Sequence, residues 1–212
     1  MGGEVPAVLI PEERIRARVA ELAAQISRDY AGAGDLWLVG ILRGCYIFLA
    51  DLSRQITVPR HVDFIALSSY GCGAVSTGAV RLVMDLRSDI AGRHVLVVDD
   101  IVDTGHTLRY LVESLRPRRP ASLRTCVLVR KPARLSAGVA IDYVGFDIPD
   151  VWVVGYGLDY ADRHRALPYI GYVEVDPLAG KGAGAGRAPG GDPAGAVVEP
   201  RDAEAGAVPR RP

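Results

Sequence analysis

Cysteine is scarce in this chain, and its three copies, Cys45, Cys72 and Cys126, lie far apart. An odd number at such spacing supplies neither a disulfide framework nor a zinc ligand set. A reducing, cytoplasmic setting is therefore expected. An excess of either charge is also missing, with 25 Lys+Arg against 25 Asp+Glu. That balance gives no reason to expect nucleic acid or an anionic membrane as partner. No apolar run approaches the roughly 18–20 residues of a membrane span. The opening MGGEVPAVLIPEERIRARV soon turns charged and lacks an apolar core with a small-residue cleavage site, so no signal peptide is expected. The G-x-x-x-x-G-K-[ST] loop of nucleoside triphosphatases is absent too.

What is present divides sharply after residue 176. Residues 177–212 hold 8 of the 24 glycines and 6 of the 14 prolines, with no aromatic residue. Such a stretch buries too little apolar surface to offset its ordering entropy and is expected to be a disordered tail. Residues 1–176 form one domain. Within it, Ile15, Val19, Leu22, Ala23 and Ile26 recur at helical spacing, predicting a helix over 12–30. A buried strand is predicted at 36–41 and a helix at 45–56. A strand at 62–70 leads into the glycine-rich loop 71–79, followed by 80–86 and a strand over 94–100. Leu108, Leu111, Val112 and Leu115 mark the next helix. Further strands are predicted at 123–129, 151–156 and 170–175. Near-continuous apolar strands alternating with helices argue for an α/β fold with a mainly parallel sheet covered on both faces.

The stretch VLVVDDIVDTGHTL, residues 95–108, raises the functional question. A buried strand runs into the adjacent acids Asp99 and Asp100, which repel each other unless a cation or hydroxyls lie before them. In parallel α/β sheets, ligands gather where strands end and helices begin. The turn Thr104, Gly105, His106 and Thr107 then opens a helix, offering free backbone N–H groups, two hydroxyls and the positive end of the macrodipole. That arrangement suits a phosphate monoester. Acids just before a phosphate cradle can accept the hydroxyls of an attached sugar, so a ribose 5-phosphate answers both halves.

These residues resemble the phosphoribosyl-pyrophosphate motif of the type I phosphoribosyltransferases. ILRGCYIFLADL (41–52), SSYG (68–71), RKP (130–132), GFDIPDVWVVGYGLDY (145–160) and Arg165 are similar, in the same order, to the hypoxanthine-guanine phosphoribosyltransferases. The likeness spans roughly residues 11–175. The central motif marks only the superfamily; the 145–160 block is far more specific. The resemblance implies the type I phosphoribosyltransferase fold, a mainly parallel twisted sheet flanked by helices, with a small hood and a mobile lid loop. It implies Mg2+-dependent transfer of ribose 5-phosphate from phosphoribosyl pyrophosphate to a 6-oxopurine, as a homodimer or homotetramer.

Carried over residue by residue, the resemblance makes Asp99 and Asp100 the ribose and magnesium acids and Asp103 the acid/base group at the purine N7. Asp103 also suits a helix N-cap. Thr104, Gly105, His106 and Thr107 hold the 5-phosphate, with His106 serving through its backbone. Leu42, Arg43 and Gly44 form the pyrophosphate loop, whose peptide before the basic residue is cis in many members, and Arg165 meets the same leaving group from the opposite side. Lys131, placed by counting back from GFDIP, donates to the exocyclic oxygen of the base. Trp152 stacks on the ring, Val153 offers backbone atoms to its edge, and Asp159 binds a second magnesium. Ser69 and Tyr70 open the lid, leaving Cys72 exposed there, while Cys45 and Cys126 are expected to be small buried hydrophobes. A phosphoribosyltransferase-fold regulator that senses phosphoribosyl pyrophosphate is the rival of another class, disfavoured by zero net charge and the lack of an added basic module. A receiver domain is disfavoured because the acid pair lies mid-chain beside a phosphate loop. A xanthine-preferring phosphoribosyltransferase is the nearer alternative.

Overall fold

The computed structural model describes residues 6–69, 80–173 and 193–200. Tyr70, the loop 71–79 with Cys72, and residues 177–192 and 201–212 of the expected tail lie outside them. The elements are β1 (Ala7–Ile10), α1 (Glu12–Asp29), β2 (Leu36–Leu42), α2 (Tyr46–Gln55), β3 (Arg60–Ser69), β4 (Val80–Met84), β5 (His94–Val102), α3 (His106–Leu115), β6 (Ser122–Arg130), β7 (Tyr143–Asp147), β8 (Trp152–Val154) and β9 (Ile170–Val173).

Six strands form the main sheet in the order β4-β3-β2-β5-β6-β7. All pair in parallel except β4, which returns antiparallel to β3. The period-two alternation of the central strands sorts side chains to two cores. Leu36, Leu38, Leu96, Val98, Cys126 and Leu128 pack with the apolar stripe of α1 and with Phe48, Leu49 and Leu52 of α2. Trp37, Val39, Ile41, Val95, Val97 and Val127 face Leu108, Leu111 and Leu115 of α3. Each such side chain, removed from water, contributes roughly 1.5–3 kcal/mol, and the continuous apolar runs follow from this two-sided burial.

The predicted strands at 151–156 and 170–175 do not extend this sheet. They supply β8 and β9, which form with β1 a separate antiparallel layer in the order β1-β9-β8. An apolar run specifies burial but not which sheet accepts it, and β9 pairs with β1 and β8 instead of extending β7. Tyr156 ties this hood to the main body by donating its hydroxyl to Asp51 Oδ2 of α2 at 2.6 Å.

Helix α1 is fastened to the edge strand β7 by a buried cation. Arg18 donates from Nε to the Gly145 carbonyl and from Nη2 to that of Val144, both at 3.0 Å, while Nη1 pairs with Glu21 at 2.7 Å. Part of the tail expected to be disordered lies against the same edge. Val198 exchanges both backbone hydrogen bonds with Asp147, at 2.7 and 3.0 Å, Val197 is buried, and Glu199 pairs with Arg14 at 2.7 Å. Composition misjudged these eight residues because the pairing groups of β7 supply partners that the segment lacks alone.

Candidate active site

The strand order reverses between β2 and β5, so the turns leaving these two strands diverge and open a crevice. Their registers show where it lies. Pairing of β5 with β2 ends at Gly40 opposite Val98, whereas pairing with β6 continues to Val102 opposite Arg130. Asp99 and Asp100 therefore lie inside β5, beyond the point where β2 has turned away, and not after the strand's end. Asp99 is only 6% exposed, and its Oδ1 accepts the Asp100 backbone N–H at 3.1 Å. Neither carboxylate has an ion-pair partner among the described residues. Burial raises the Asp99 carboxyl well above the usual range, with the Asp100 charge adding to it. Burial raises Asp100 too, moderated among others by the Arg165 charge. The Cys45 thiol behind the pair is pushed up by burial and by both acids, making it an inert core residue, as expected; Cys126 is likewise buried.

The turn after β2 is pressed onto these acids. The Leu42–Arg43 peptide is cis. A Cβ on Gly44 would stand 1.8 Å from Asp100 Oδ2, and one on Gly157 would stand 2.0 Å from the Gly44 carbonyl oxygen. Only glycine at both positions allows the β2–α2 turn, the end of β5 and the hood turn to stack this closely.

From that hood turn comes Arg165. It donates from Nη1 to the Gly157 carbonyl at 2.9 Å, and its Nη2 lies 2.7 Å from Asp159 Oδ1 and 3.0 Å from Asp162 Oδ1. Arg43 reaches the same Asp162 oxygen, at 3.0 Å. The two arginines assigned by sequence to one leaving group thus meet, through an acid the sequence reading did not select. Asp159 Oδ2 accepts the Asp162 N–H at 2.7 Å, so both oxygens of this candidate metal ligand are engaged.

Beyond Asp103, the chain turns through Gly105, at φ +86°, into α3. The first backbone N–H groups of α3 have no acceptor within the helix, and no side chain among the described residues caps them. Asp103 is accordingly not the N-cap; Gly105 takes that place. The loop is held from behind, where the Thr104 carbonyl accepts the Ser136 and Ala137 N–H groups at 3.1 Å each. His106 and Thr107 are exposed, which suits an anion cradle made from backbone and hydroxyl.

At the other side lies a ring of four charges. Lys131, 5% exposed, follows β6 and donates its N–H to the Val102 carbonyl at 3.0 Å. Its Nζ is 3.2 Å from Asp150 Oδ1 and 4.0 Å from Asp103 Oδ2. Arg134 pairs with Asp103 through Nε and with Asp150 Oδ2 at 3.4 Å. Arg130 instead makes a bidentate pair with Asp147 at 2.7 and 2.9 Å, so Lys131 is the residue that faces Asp103. The sequence reading missed Arg134 and Asp150. Their signal was the turn, in which the Arg134 N–H bonds the Lys131 carbonyl at 3.1 Å, and the acid closing GFDIPD.

Trp152, partly exposed at the start of β8, stands edge-on to Tyr160 with ring centroids 5.6 Å apart. Val153 sends its side chain into the core, leaving only its backbone for a ligand. Ser69 closes β3, and the expected lid beyond it is outside the described residues. No cluster of three or more His, Cys, Asp or Glu able to hold a metal occurs among the described residues. The available donors are all oxygens and include an acid pair with no ion-pair partner among the described residues, which fits a Mg2+ that keeps waters and substrate oxygens as its other ligands.

A switch-point crevice with an acid pair, a free helix N-terminus and two convergent arginines defines a phosphoribosyltransferase, and the chain belongs to that family. The phosphoribosyl transferase domain model matches residues 11–161. Within the family, the relatives point to one branch. The hypoxanthine phosphoribosyltransferase of Salmonella typhimurium is 50% identical over 167 residues, covering 78% of this chain and 94% of that protein. The hypoxanthine-guanine phosphoribosyltransferase of Mycobacterium tuberculosis is 50% identical over 177 residues, covering 81% and 88%. Among solved structures, a hypoxanthine-guanine phosphoribosyltransferase from Bacillus anthracis superposes with a TM-score of 0.76 at 42% identity, covering 80% of this chain and 99% of that one. The branch is that of the hypoxanthine-guanine phosphoribosyltransferases, with the type I phosphoribosyltransferase fold.

Proposed function

We propose that this chain is a purine salvage transferase that joins ribose 5-phosphate from phosphoribosyl pyrophosphate to N9 of hypoxanthine or guanine, releasing pyrophosphate, with Mg2+ as the metal. The observation that carries this reading is the uncompensated acid pair, seated beside the free N-terminus of α3 at the switch point. In this reading the α3 N-terminus and the hydroxyls of Thr104 and Thr107 take the 5-phosphate. Asp99 and Asp100 accept the ribose hydroxyls and would hold the metal, which would neutralise pyrophosphate charge when bound. As the C1′–oxygen bond breaks, its electron pair leaves with pyrophosphate, and the same two acids place negative charge beside the cationic sugar.

Arg43 and Arg165 receive the departing anion, and Asp159 would help to hold a second metal. The bond from N9 to C1′ then forms while Asp103 takes the proton from N7. Lys131, held between Asp103 and Asp150, donates to the 6-oxo group. A 6-amino group offers no such acceptor, so adenine is rejected. Trp152 and the Val153 backbone place the ring, and Ser69 and Tyr70 open a lid that excludes water. Localisation in the cytoplasm and assembly as a homodimer or homotetramer complete the proposal. No helix among the described residues is long and apolar enough to cross a membrane.

The test supplies Mg2+ and phosphoribosyl pyrophosphate with hypoxanthine, guanine, xanthine or adenine, using wild type and Asp103→Asn. Turnover of hypoxanthine or guanine is expected, none of adenine, and a loss of about 10²–10⁴-fold in the variant. Turnover of xanthine alone would transfer the reading to that base. No turnover with phosphoribosyl pyrophosphate still bound would replace the enzyme with a sensor.

A further inference from the structure

One carboxylate oxygen stands where two loops bring their cations together. Asp162 Oδ1 lies 3.0 Å from Arg43 Nη2 and 3.0 Å from Arg165 Nη2. Arg43 comes from the turn after β2 and Arg165 from the hood, so the oxygen bridges the two stacked turns. Asp162 is the only ion-pair partner of the Arg43 side chain among the described residues. The acid is aimed there by its backbone: Asp162 sits at φ +61°, between Ala161 at +51° and His164 at +71°. Its N–H is tied to Asp159. Non-glycine residues rarely adopt positive φ, and three so close together mark a segment whose shape is imposed by its surroundings. The guanidiniums, Arg165 foremost, also hold the Asp162 carboxyl below its ordinary range.

We propose that Asp162 is an internal stand-in for pyrophosphate: its carboxylate occupies the anion position between Arg43 and Arg165 in the empty site and competes with the leaving group for both. The inference rests on the assignment of these two arginines to pyrophosphate under the proposed function. Pyrophosphate carries more charge and more acceptor oxygens than a carboxylate, and guanidinium forks match phosphate in two-point contacts, so it displaces Asp162 on binding. The acid remains one loop segment away and returns as product departs. It thereby weakens product binding and keeps the two arginines poised near each other between turnovers. Asp162 acts through the arginines and is a positioning residue.

Direct binding of magnesium pyrophosphate, measured by calorimetry on the full-length chain, separates the outcomes. Asp162→Asn keeps the shape and the backbone N–H; Asp162→Gly removes the side chain and fits the left-handed backbone. Both are expected to bind pyrophosphate about three- to tenfold more tightly than wild type, the scale of exposed ion pairs relieved of competition. The gain should shrink as salt is raised, and it should shrink when Arg43→Ala is combined with Asp162→Asn. In steady state, slower release should lower kcat more than kcat/KM. Unchanged or weaker binding by both variants, with wild type binding pyrophosphate and turning over hypoxanthine, overturns this inference alone. Absence of both binding and turnover in wild type overturns the proposed function along with it.

Discussion

At one side of the crevice two carboxylates lie side by side inside β5 without an ion-pair partner among the described residues; at the other, Asp103 and Asp150 are shared between Lys131 and Arg134. Both regions hold two acids, yet burial raises Asp99 and Asp100, the Asp100 charge adding to the rise at Asp99, while the second pair is neutralised in place. Under the proposed function, the difference follows from what each side must meet. A sugar with its metal brings positive charge and hydroxyls, so leaving its acids uncompensated turns a folding cost into binding selectivity. A neutral base brings only hydrogen-bonding edges, so its groups are oriented beforehand by one another. Stability is given up at one site and retained at the other.

The largest expected effect comes from breaking the first region's geometry. In Gly44→Ala the added methyl would fall on the Asp100 carboxylate, and either the acid or the turn after β2 must move. A displacement near an ångström costs about 100-fold in rate, so kcat/KM should fall by about that much, read in a steady-state assay. Breaking the second region should cost stability instead. Lys131→Gln leaves Asp103 and Asp150 facing one remaining cation, Arg134. Since the lysine is buried and the acids are partly exposed, a loss of about 2 kcal/mol is expected in urea unfolding. The preference for hypoxanthine over adenine should narrow as well.

The opposite sign is predicted for Asp99→Asn. Because the folded chain raises the Asp99 carboxyl, the native state binds that proton more tightly than the unfolded state does. Its contribution is therefore most favourable below the ordinary carboxylate range and is lost as pH rises through the raised value. The ligand-free variant should gain about 1–3 kcal/mol at neutral pH, and its melting temperature should fall less with rising pH than that of wild type. Arg134→Gln should have the smallest effect on stability. The side chain is 29% exposed, and its removal should cost under about 1 kcal/mol, with a clearer effect on kcat than on melting.

The contrast also separates what the sequence discloses from what it hides. The acid pair and the glycine turn into α3 were legible because a continuous apolar strand, two acids, a glycine turn and a helical period follow one another without interruption. Helices α1 and α3 were legible from periodicity alone. Strand β7 was not read as a strand: its five residues have Gly145 at their centre and lie inside a motif noticed for other reasons. Strand β1 has four residues and sits between Pro6 and Pro11, which mask it. Arg134 and Asp162 escaped because each acts through partners that folding brings together, Asp150 in one case and Arg43 in the other. Residues 193–200 were read as unstructured because their order depends on β7, Arg14 and Arg18, not on their own composition.

Whether Asp99 and Asp100, without an ion-pair partner among the described residues, wait for the sugar and its metal to supply one is decided by thermal melting of wild type and Asp99→Asn. Each would be measured alone and with Mg2+ plus phosphoribosyl pyrophosphate. The variant is expected to melt higher than wild type when empty and to lose most of the ligand-induced rise. A variant that melts lower when empty and keeps the full rise with ligand would contradict it.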